Sequence, residues 1–209
     1  MRVFLFDIGN VLCNFDFDRL LKTYEQISGK PVGIHEPEDQ RLYNAVETGE
    51  ITDQEYVERM NERKQISWEV EDLVRAWQDI FSANEVGRSL YYHAIDQQVP
   101  VFTLSNIAEY HIKAINRNWD NLLDQATGLF LSYQMGYRKP HPKIYEATVD
   151  YLNVSPEECF FVDDLPENVE AARALGIEAH LFLPQHYDRV VEEANQFFAW
   201  DSLAVASSD

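Results

Sequence analysis

Two acidic motifs contain the residues with the clearest chemical potential. Asp7 ends the apolar run Val-Phe-Leu-Phe at residues 3–6, and the pair Asp163 and Asp164 ends a second apolar run at residues 160–162. Adjacent carboxylates repel one another, and a bound cation lets them share a site more comfortably. The two motifs therefore predict a site that binds a cation and that also contains a potential nucleophile, the carboxylate of Asp7.

Two further motifs supply a hydroxyl, an amide and a positive charge. Ser105 and Asn106 follow the apolar run at residues 101–104, and Lys139 lies in the loop Gly-Tyr-Arg-Lys-Pro at residues 136–140. Each motif alone is weak, because a lone Asp at a strand end is more often a helix cap. Three of the four motifs lie at the ends of predicted strands, however, where open α/β sheets bind their ligands. Their combination favours one shared site.

The elements that would position these motifs alternate along the chain. Apolar runs typical of buried strands occur at residues 2–7, 99–104, 159–162 and 178–183, with a weaker one at 128–132. Helical patterns lie between or after them at residues 107–118, 142–152, 166–175 and 187–199. This alternation predicts an α/β fold, with a mostly parallel sheet that is covered by helices on both faces.

The segment at residues 15–84 is different, because it is polar, helical in period and without a convincing strand. Thr52 followed by Glu55 predicts a capping box that opens one of its helices. Trp77 and Phe81 fit either the core of this segment or a cleft beside it. An insertion directly after the first strand favours a helical cap over the strand ends, although an independent four-helix module is the alternative.

We therefore predict two domains. Residues 1–14 and 85–209 form the α/β core, and residues 15–84 form the helical cap.

Composition narrows the classes of partner. The chain has 209 residues and a formal net charge of −19, which disfavours nucleic acid and anionic membrane surfaces as partners. No apolar run approaches the roughly 20 residues needed to cross a bilayer, and the N-terminal segment lacks a signal-peptide pattern. A cytoplasmic location is therefore expected. The oligomeric state cannot be read from the sequence.

Taken in this order, the four motifs resemble those of the haloacid dehalogenase-like superfamily of hydrolases. The resemblance covers almost the whole chain and implies a Rossmann-like α/β core with a parallel sheet and an inserted helical cap of the C1 type. Within the superfamily, the chain is most similar to the bacterial α-D-glucose-1-phosphate phosphatase group. The similarity is carried by the opening Phe-Asp-x-Gly-Asn-Val and by the stretches at residues 14–19, 47–52 and 138–140.

The resemblance implies a magnesium-dependent phosphatase with an aspartyl-phosphate intermediate on Asp7. Mg²⁺ would be held by Asp7, by the backbone carbonyl of Gly9 and by Asp164, with Asp163 in support. Such an oxygen-rich set suits Mg²⁺ better than zinc. The implied substrate is a small phosphorylated metabolite, with a sugar phosphate such as glucose 1-phosphate as the first candidate.

The same resemblance assigns the groups that would bind the phosphoryl oxygens. Ser105, together with nearby backbone N–H groups, would contact them directly. Lys139 would neutralise charge on the nucleophile and on the phosphate. Asn10 and Asn106 are further candidates for contact with the substrate.

Gly9 departs from the pattern of most phosphatases in the superfamily, which carry there a second Asp that protonates the leaving oxygen. General acid–base catalysis of this kind typically contributes about 10²–10⁴-fold. Three explanations stay open. The leaving hydroxyl is acidic enough, as in an anomeric sugar phosphate; Asp16 or Asp18 supplies the proton, against their simpler interpretation as an acidic helix start; or turnover is slow or absent.

Two alternative functions also stay open. L-2-haloacid dehalogenases of the same superfamily likewise lack the second Asp and need no metal, but they need an Arg for the substrate carboxylate, for which Arg41 is the candidate. They do not typically keep an acidic pair such as Asp163 and Asp164. The other alternative is a non-catalytic protein that binds phosphate ligands.

Overall fold

The computed structural model describes residues 1–200, so the end of the predicted core segment, 201–209, lies outside the described residues. Residues 1–200 form seven strands: β1 (Val3–Phe6), β2 (Cys13–Phe15), β3 (Phe81–Ala83), β4 (Val101–Ser105), β5 (Gly128–Leu131), β6 (Cys159–Asp163) and β7 (Glu178–Leu181). They also form ten α-helices: α1 (Phe17–Ser28), α2 (Pro37–Glu47), α3 (Asp53–Lys64), α4 (Val70–Ile80), α5 (Glu85–Asp96), α6 (Glu109–Asn118), α7 (Ser132–Met135), α8 (Pro142–Leu152), α9 (Pro166–Ala174) and α10 (Tyr187–Phe198).

The central sheet is parallel and has the strand order β5-β4-β1-β6-β7. β1 is the middle strand, and its Phe4 lies opposite Val101 on one side and Phe160 on the other. All four residues of β1 are fully buried. Strands that are buried on both faces read as continuous apolar runs, which is why the sequence pattern located them. The predicted α/β fold class is confirmed.

Helices cover both faces of the sheet. On one face, Phe4 and Phe6 pack in a cluster with Leu90 of α5 and Val190 of α10. On the other face, Leu5 belongs to a separate cluster that contains side chains of α8 and α9. Strands β1, β4, β5 and β6 contribute side chains to both clusters, so the hydrophobic core packs on both faces of the sheet.

The segment between β1 and α5 contains α1 to α4 and also a short antiparallel pair, β2 with β3. The expectation that this segment lacks strands is therefore wrong. Each strand has only three residues, and Phe15 pairs with Phe81 across them. So short a pair leaves no period-2 pattern to read. It lies where the chain enters and leaves the predicted cap.

The helices of the predicted cap begin and pack as their sequence suggests. The capping box at α3 is confirmed, since the Glu55 N–H donates to Thr52 Oγ1 at 3.2 Å and the Thr52 N–H donates to Glu55 Oε2 at 2.8 Å. Trp77 of α4 packs in one hydrophobic cluster with Tyr110 and Ala114 of α6. The cap helices therefore rest on the core through α6. We retain the predicted boundaries of cap and core as a proposal.

A search of residues 1–200 for a helix long and apolar enough to cross a membrane found none.

Candidate active site

Asp7 lies directly after β1, at the carboxyl edge of the sheet, and is 8% exposed. Its Oδ1 accepts a hydrogen bond from the Ile8 N–H at 2.8 Å and another from the Ser105 hydroxyl. Lys139 Nζ lies 3.0 Å from the same oxygen. Within residues 1–200, every one of these contacts falls on Oδ1, so the carboxylate is held in one orientation by one of its two oxygens.

Asp163 is completely buried at the end of β6 and holds Lys139 in place. Lys139 Nζ donates to Asp163 Oδ2 at 2.5 Å and to the Leu104 carbonyl at 2.7 Å. Asn168 Nδ2 lies 2.9 and 3.1 Å from the two oxygens of Asp163, and the Leu165 N–H donates to Oδ1 at 2.9 Å. Both oxygens of Asp163 therefore accept hydrogen bonds from the protein, and Asp163 holds the ammonium of Lys139 in place.

Asp164 faces the loop after β1. Its Oδ2 accepts a hydrogen bond from Asn10 Nδ2 at 2.9 Å. Asn10 has a φ of +51°, a left-handed conformation that Asn tolerates better than most residues. Asp7, Asp163 and Asp164 each offer an oxygen within 4.8 Å of the others. The structure thus brings the two acidic motifs together.

The charges in this cluster are not balanced by the protein alone. Burial raises the pKa of Asp7 to about 7, with Asp163 and Asp164 adding to the shift and Lys139 opposing it. Burial and Asp163 likewise raise the pKa of Asp164. Burial disfavours the charge on Lys139, yet Asp163 and Asp7 outweigh it and raise the pKa of that ammonium. Three carboxylates around one ammonium fit a divalent cation that takes oxygen ligands.

A cavity of about 260 Å³ opens in front of the cluster. Six of the predicted site residues line it: Asp7, Gly9, Asn10, Asn106, Lys139 and Asp164. Ser105 and Asp163 do not line it, and they are buried below the wall at 1% and 0% exposure. The structure therefore gathers all eight predicted residues around one centre, with two of them behind those that face the cavity.

Asn106 and Ser105 have clear partners within the protein. Asn106 Oδ1 accepts from the Lys139 N–H at 2.6 Å, and its Nδ2 donates to the Lys139 carbonyl at 2.8 Å. This pair of bonds fixes the backbone of Lys139. Ser105 Oγ accepts from the Ile8 N–H at 2.8 Å while its hydroxyl donates to Asp7. Ser105 therefore holds in place the start of the loop that follows β1, through Asp7 and Ile8.

The cavity wall also includes residues that the sequence did not assign to the site. Glu47 and Tyr43 come from α2, His111 comes from α6, and Arg138 precedes Lys139; all four line the cavity. Arg138 Nη2 lies 2.8 Å from Glu47 Oε2. The resemblance to relatives marks the stretch at residues 47–52, and Lys139 marks the loop at 136–140, but nothing in either stretch predicts that Glu47 and Arg138 meet.

Trp77 and Phe81, for which the sequence left two interpretations, satisfy both. They pack in the hydrophobic cluster of the cap helices and also line the cavity, together with Phe15. Phe15 lies close to Gly9, and a Cβ added at Gly9 would be 3.3 Å from Phe15 Cε1. Gly9 has no side chain, but a small shift of the Phe15 ring would make room for a Cβ at this position.

The acidic residues after the β1 turn are helix-start residues. Asp16 caps α1, and its Oδ1 accepts from the Arg19 N–H at 3.0 Å. Asp16 and Asp18 are both exposed, and neither lines the cavity. Arg41 is exposed on α2, pairs with Glu38 at 2.9 Å and is also absent from the cavity wall. The geometry therefore favours neither Asp16 nor Asp18 as the acid, and it removes Arg41 as the candidate for the carboxylate-binding Arg of a dehalogenase.

Comparison with known proteins shows the family of the chain. The family model described as haloacid dehalogenase-like hydrolase matches residues 1–176, and the chain belongs to that family. The predicted superfamily, and the prediction that the chain is a hydrolytic enzyme, are thereby confirmed. The narrower likeness to glucose-1-phosphate phosphatases stays a prediction.

Two curated relatives that align over most of the chain are named as phosphatases. A D-ribitol-5-phosphate phosphatase of Bacteroides thetaiotaomicron is 23% identical over 189 residues, which are 87% of this chain and 91% of that protein. A phosphatase of Mycobacterium tuberculosis is 29% identical over 192 residues and 85% of each chain. A solved haloacid dehalogenase family enzyme of Bacteroides thetaiotaomicron, in complex with magnesium and inorganic phosphate, superposes with a TM-score of 0.72 at 25% identity, covering 87% of this chain and 93% of its own.

Proposed function

We propose that this protein is a Mg²⁺-dependent phosphatase that hydrolyses a small sugar phosphate through an aspartyl-phosphate on Asp7. One observation carries the proposal: the oxygens of Asp7, Asp163 and Asp164 lie within 4.8 Å of one another, beside the ammonium of Lys139. Phosphoryl transfer depends on positioning and charge neutralisation more than on other chemistry, and this cluster supplies both. Relatives named as phosphatases, and a related enzyme crystallised with magnesium and phosphate, support the same assignment.

In the proposed reaction, an oxygen of Asp7 forms a bond to phosphorus and the bond from phosphorus to the leaving oxygen breaks. That oxygen leaves as an alcohol after it takes a proton. Water then attacks the aspartyl-phosphate, which releases inorganic phosphate and restores the carboxylate. Because Lys139, Ile8 N–H and Ser105 all contact Oδ1, the other oxygen, Oδ2, is the one we assign to the attack on phosphorus.

The bound metal would supply positive charge opposite the phosphoryl oxygens. Asp7, Asp164 and the Gly9 carbonyl are the proposed ligands, and Asp163 supports them by holding Lys139. Asn10 is proposed to orient Asp164 rather than to bind phosphate, because its amide already donates to that carboxylate. Ser105 can bind a phosphoryl oxygen only after its hydroxyl turns away from Asp7.

The leaving oxygen needs a proton donor. We propose neither Asp16 nor Asp18 for this role, because both are exposed helix-start residues. An anomeric sugar phosphate needs little protonation, since its leaving hydroxyl is more acidic than that of a simple alcohol. We therefore keep an anomeric phosphate such as glucose 1-phosphate as the first candidate substrate.

The test measures phosphate release from a panel of sugar and alkyl phosphates, with Mg²⁺ and with EDTA. We expect release only with Mg²⁺, and a loss of at least a thousandfold in Asp7→Asn, since removal of a nucleophile abolishes most of an enzyme's rate advantage. Asp18→Asn is the matched control, because it makes the same change on an exposed helix. Full activity in EDTA, or release of chloride from a 2-haloacid in place of phosphate, contradicts the proposal.

A further inference from the structure

Unpaired polar atoms concentrate on the wall of the cavity. Six buried side-chain nitrogen or oxygen atoms in residues 1–200 have no hydrogen-bond partner, and four of them belong to residues that line this cavity. The four are Glu47 Oε2, His111 Nε2, Arg138 Nε and Asn168 Oδ1. Buried polar groups of folded proteins are normally paired. A cluster of exceptions around one cavity marks polar groups that water or a ligand in the cavity would complete.

Glu47 is held rigidly at the junction of cap and core. Its carbonyl accepts from the Ser132 hydroxyl at 2.5 Å, and its side chain is 4% exposed. Oε2 lies 2.8 Å from Arg138 Nη2 in an ion pair without a well-aligned hydrogen bond, and Tyr43 also hydrogen-bonds the Glu47 carboxylate. The charge of Glu47 is therefore compensated while one of its acceptor atoms stays available.

Arg138 presents a matching donor. Its Nη1 donates to Asn44 Oδ1 at 2.6 Å and its Nη2 faces Glu47, so the two ends of the guanidinium are engaged. Nε is buried and has no partner. An acceptor on a ligand would complete the planar group, and a buried donor that is left unpaired carries a free-energy cost of about 1–3 kcal/mol.

His111 presents a second donor. Its Nδ1 accepts from the Ala108 N–H at 3.0 Å, so in the neutral ring Nε2 carries the hydrogen. Burial lowers the pKa of His111 to about 3, which keeps the ring neutral. The rings of Trp77 and Tyr110 lie 4.1 Å from it, centroid to centroid. Ring faces are weak acceptors, so Nε2–H gains by meeting a ligand oxygen.

The remaining wall is aromatic and the space is small. Phe15, Trp77 and Phe81 offer apolar faces to a ligand. The cavity of about 260 Å³ is open to solvent on one side and lies just below the roughly 300–1,000 Å³ of pockets that hold drug-sized ligands. The cavity therefore fits a phosphate with a compact organic group.

We propose that Glu47, Arg138 and His111 bind the hydroxyl groups of the leaving group, which is an uncharged monosaccharide or alditol. This inference rests on the proposed phosphatase function and names its substrate class. One acceptor and two donors suit hydroxyl groups, because each hydroxyl both donates and accepts. A leaving group with a second phosphate or a carboxylate would instead be repelled by the carboxylate of Glu47.

The experiment compares two kinds of substrate in each variant of the full-length protein. The polyol substrates are ribitol 5-phosphate and glucose 1-phosphate, and the reference is 4-nitrophenyl phosphate, which has no hydroxyl on its leaving group. We expect Glu47→Gln to lower kcat/KM for the polyol phosphates roughly tenfold to a hundredfold, the range of a hydrogen bond to a charged group, and to change the reference several times less. Glu50→Gln, an exposed neighbour, is the matched control.

The ratio of the two kcat/KM values is the readout, because it does not depend on how much of a variant is folded. His111→Phe is the second variant, since it keeps an aromatic ring against Trp77 and removes the N–H. It should lower the ratio in the same direction as Glu47→Gln. Equal losses on both kinds of substrate, or an unchanged ratio in both variants, overturn the inference and leave the proposed phosphatase function intact.

Direct binding separates the two proposals. The dissociation constant of ribitol 5-phosphate is measured by titration calorimetry with Asp7→Asn and with Asp7→Asn carrying Glu47→Gln. Weaker binding in the double variant supports the inference even if the wild-type protein releases no phosphate, an outcome that would contradict only the proposed function. Equal binding in the two variants overturns the inference.

Discussion

At the scale of single residues, Gly9 is the position with the largest chemical consequence. Its neighbours leave almost enough room for a side chain, since an added Cβ would be 3.3 Å from Phe15 Cε1. The residue therefore does not have to be Gly for packing reasons alone. A carboxylate at this position would lie in the wall of the cavity that Asp7 faces. Whether the enzyme lacks a useful acid there can thus be tested by adding one.

We expect Gly9→Asp to raise kcat for an alkyl phosphate such as glycerol 3-phosphate by about tenfold, a part of the 10²–10⁴ that general acid catalysis typically contributes. The gain should be smaller for glucose 1-phosphate, because its leaving hydroxyl needs less protonation. Gly9→Ala adds the same Cβ without a carboxylate and should give no gain. Equal gains for both substrates would remove leaving-group acidity as the reason that Gly9 is tolerated.

Residue types predicted the acidic centre of the site because Asp7 and Asp164 directly follow strands, where position follows from topology. Lys139 reaches the same centre from the loop after α7. The sequence could not predict the hydrogen bonds that place Ser105 and Asp163 behind the wall. Nor could it predict the contact between Glu47 and Arg138, which are 91 positions apart (138 − 47) and lie in different elements.

At the scale of elements, the loop after α2 lies where the predicted cap contacts α7 of the predicted core. Gly49 has a φ of +67°, and a Cβ added there would be 2.1 Å from the Tyr133 carbonyl oxygen. That oxygen belongs to α7, whose Ser132 hydroxyl also holds the Glu47 carbonyl. Gly49 thus permits the close approach that sets the position of Glu47 above the strand ends.

We expect Gly49→Ala to lower the free energy of unfolding by about 2–5 kcal/mol, from the left-handed φ and from overpacking against backbone. Gly29→Ala is a sharp control, because Gly29 has the same φ of +67° and no atom within 4 Å of an added Cβ. It should cost only about 1–2 kcal/mol. Urea unfolding measures both. Equal losses would show that the contact with Tyr133 contributes nothing.

Elements were predicted well where burial is continuous and poorly where it is local. The apolar runs for β1, β4, β6 and β7 and the helical periods of α6, α8, α9 and α10 located these elements to within about two residues. The pair β2 and β3 was not predicted, because three residues are too few to show a period. The contact of α6 with the predicted cap helices was not predicted either, because periodicity indicates a buried face but not the element that packs against it.

At the scale of the whole molecule, the net charge of −19 repels anionic ligands at long range. Lys139 and Arg138 line the cavity together with the carboxylates of Asp7, Asp164 and Glu47, so the attraction of a phosphate there depends on the proposed cation. The fold also buries a titratable group at the junction of its two predicted domains. His111 lies on α6, among the side chains that join the cap helices to the core, and its exposure is only 3%. The protonation state of His111 therefore affects the stability of the whole protein.

We expect acid to destabilise the protein through His111. Burial lowers the pKa of this imidazole from 6.5 to about 3, so below pH 6.5 the unfolded chain binds a proton that the folded protein does not. The free energy of unfolding must then fall as the pH falls, by about 1 kcal/mol between pH 6 and pH 5 from this group alone. Above pH 6.5 both states are neutral and the contribution is constant.

The measurement that checks this is urea unfolding of the metal-free wild-type protein and of His111→Phe at several values between pH 5 and pH 7.5. The carboxylates are common to both proteins, and their pH dependence cancels in the difference between the two curves. The wild-type protein should lose about 1 kcal/mol more than the variant between pH 6 and pH 5. Parallel curves would mean that His111 already gains a proton in the folded state at pH 5. The imidazole would then be a cation in the cavity, and its Nδ1 could no longer accept the Ala108 N–H.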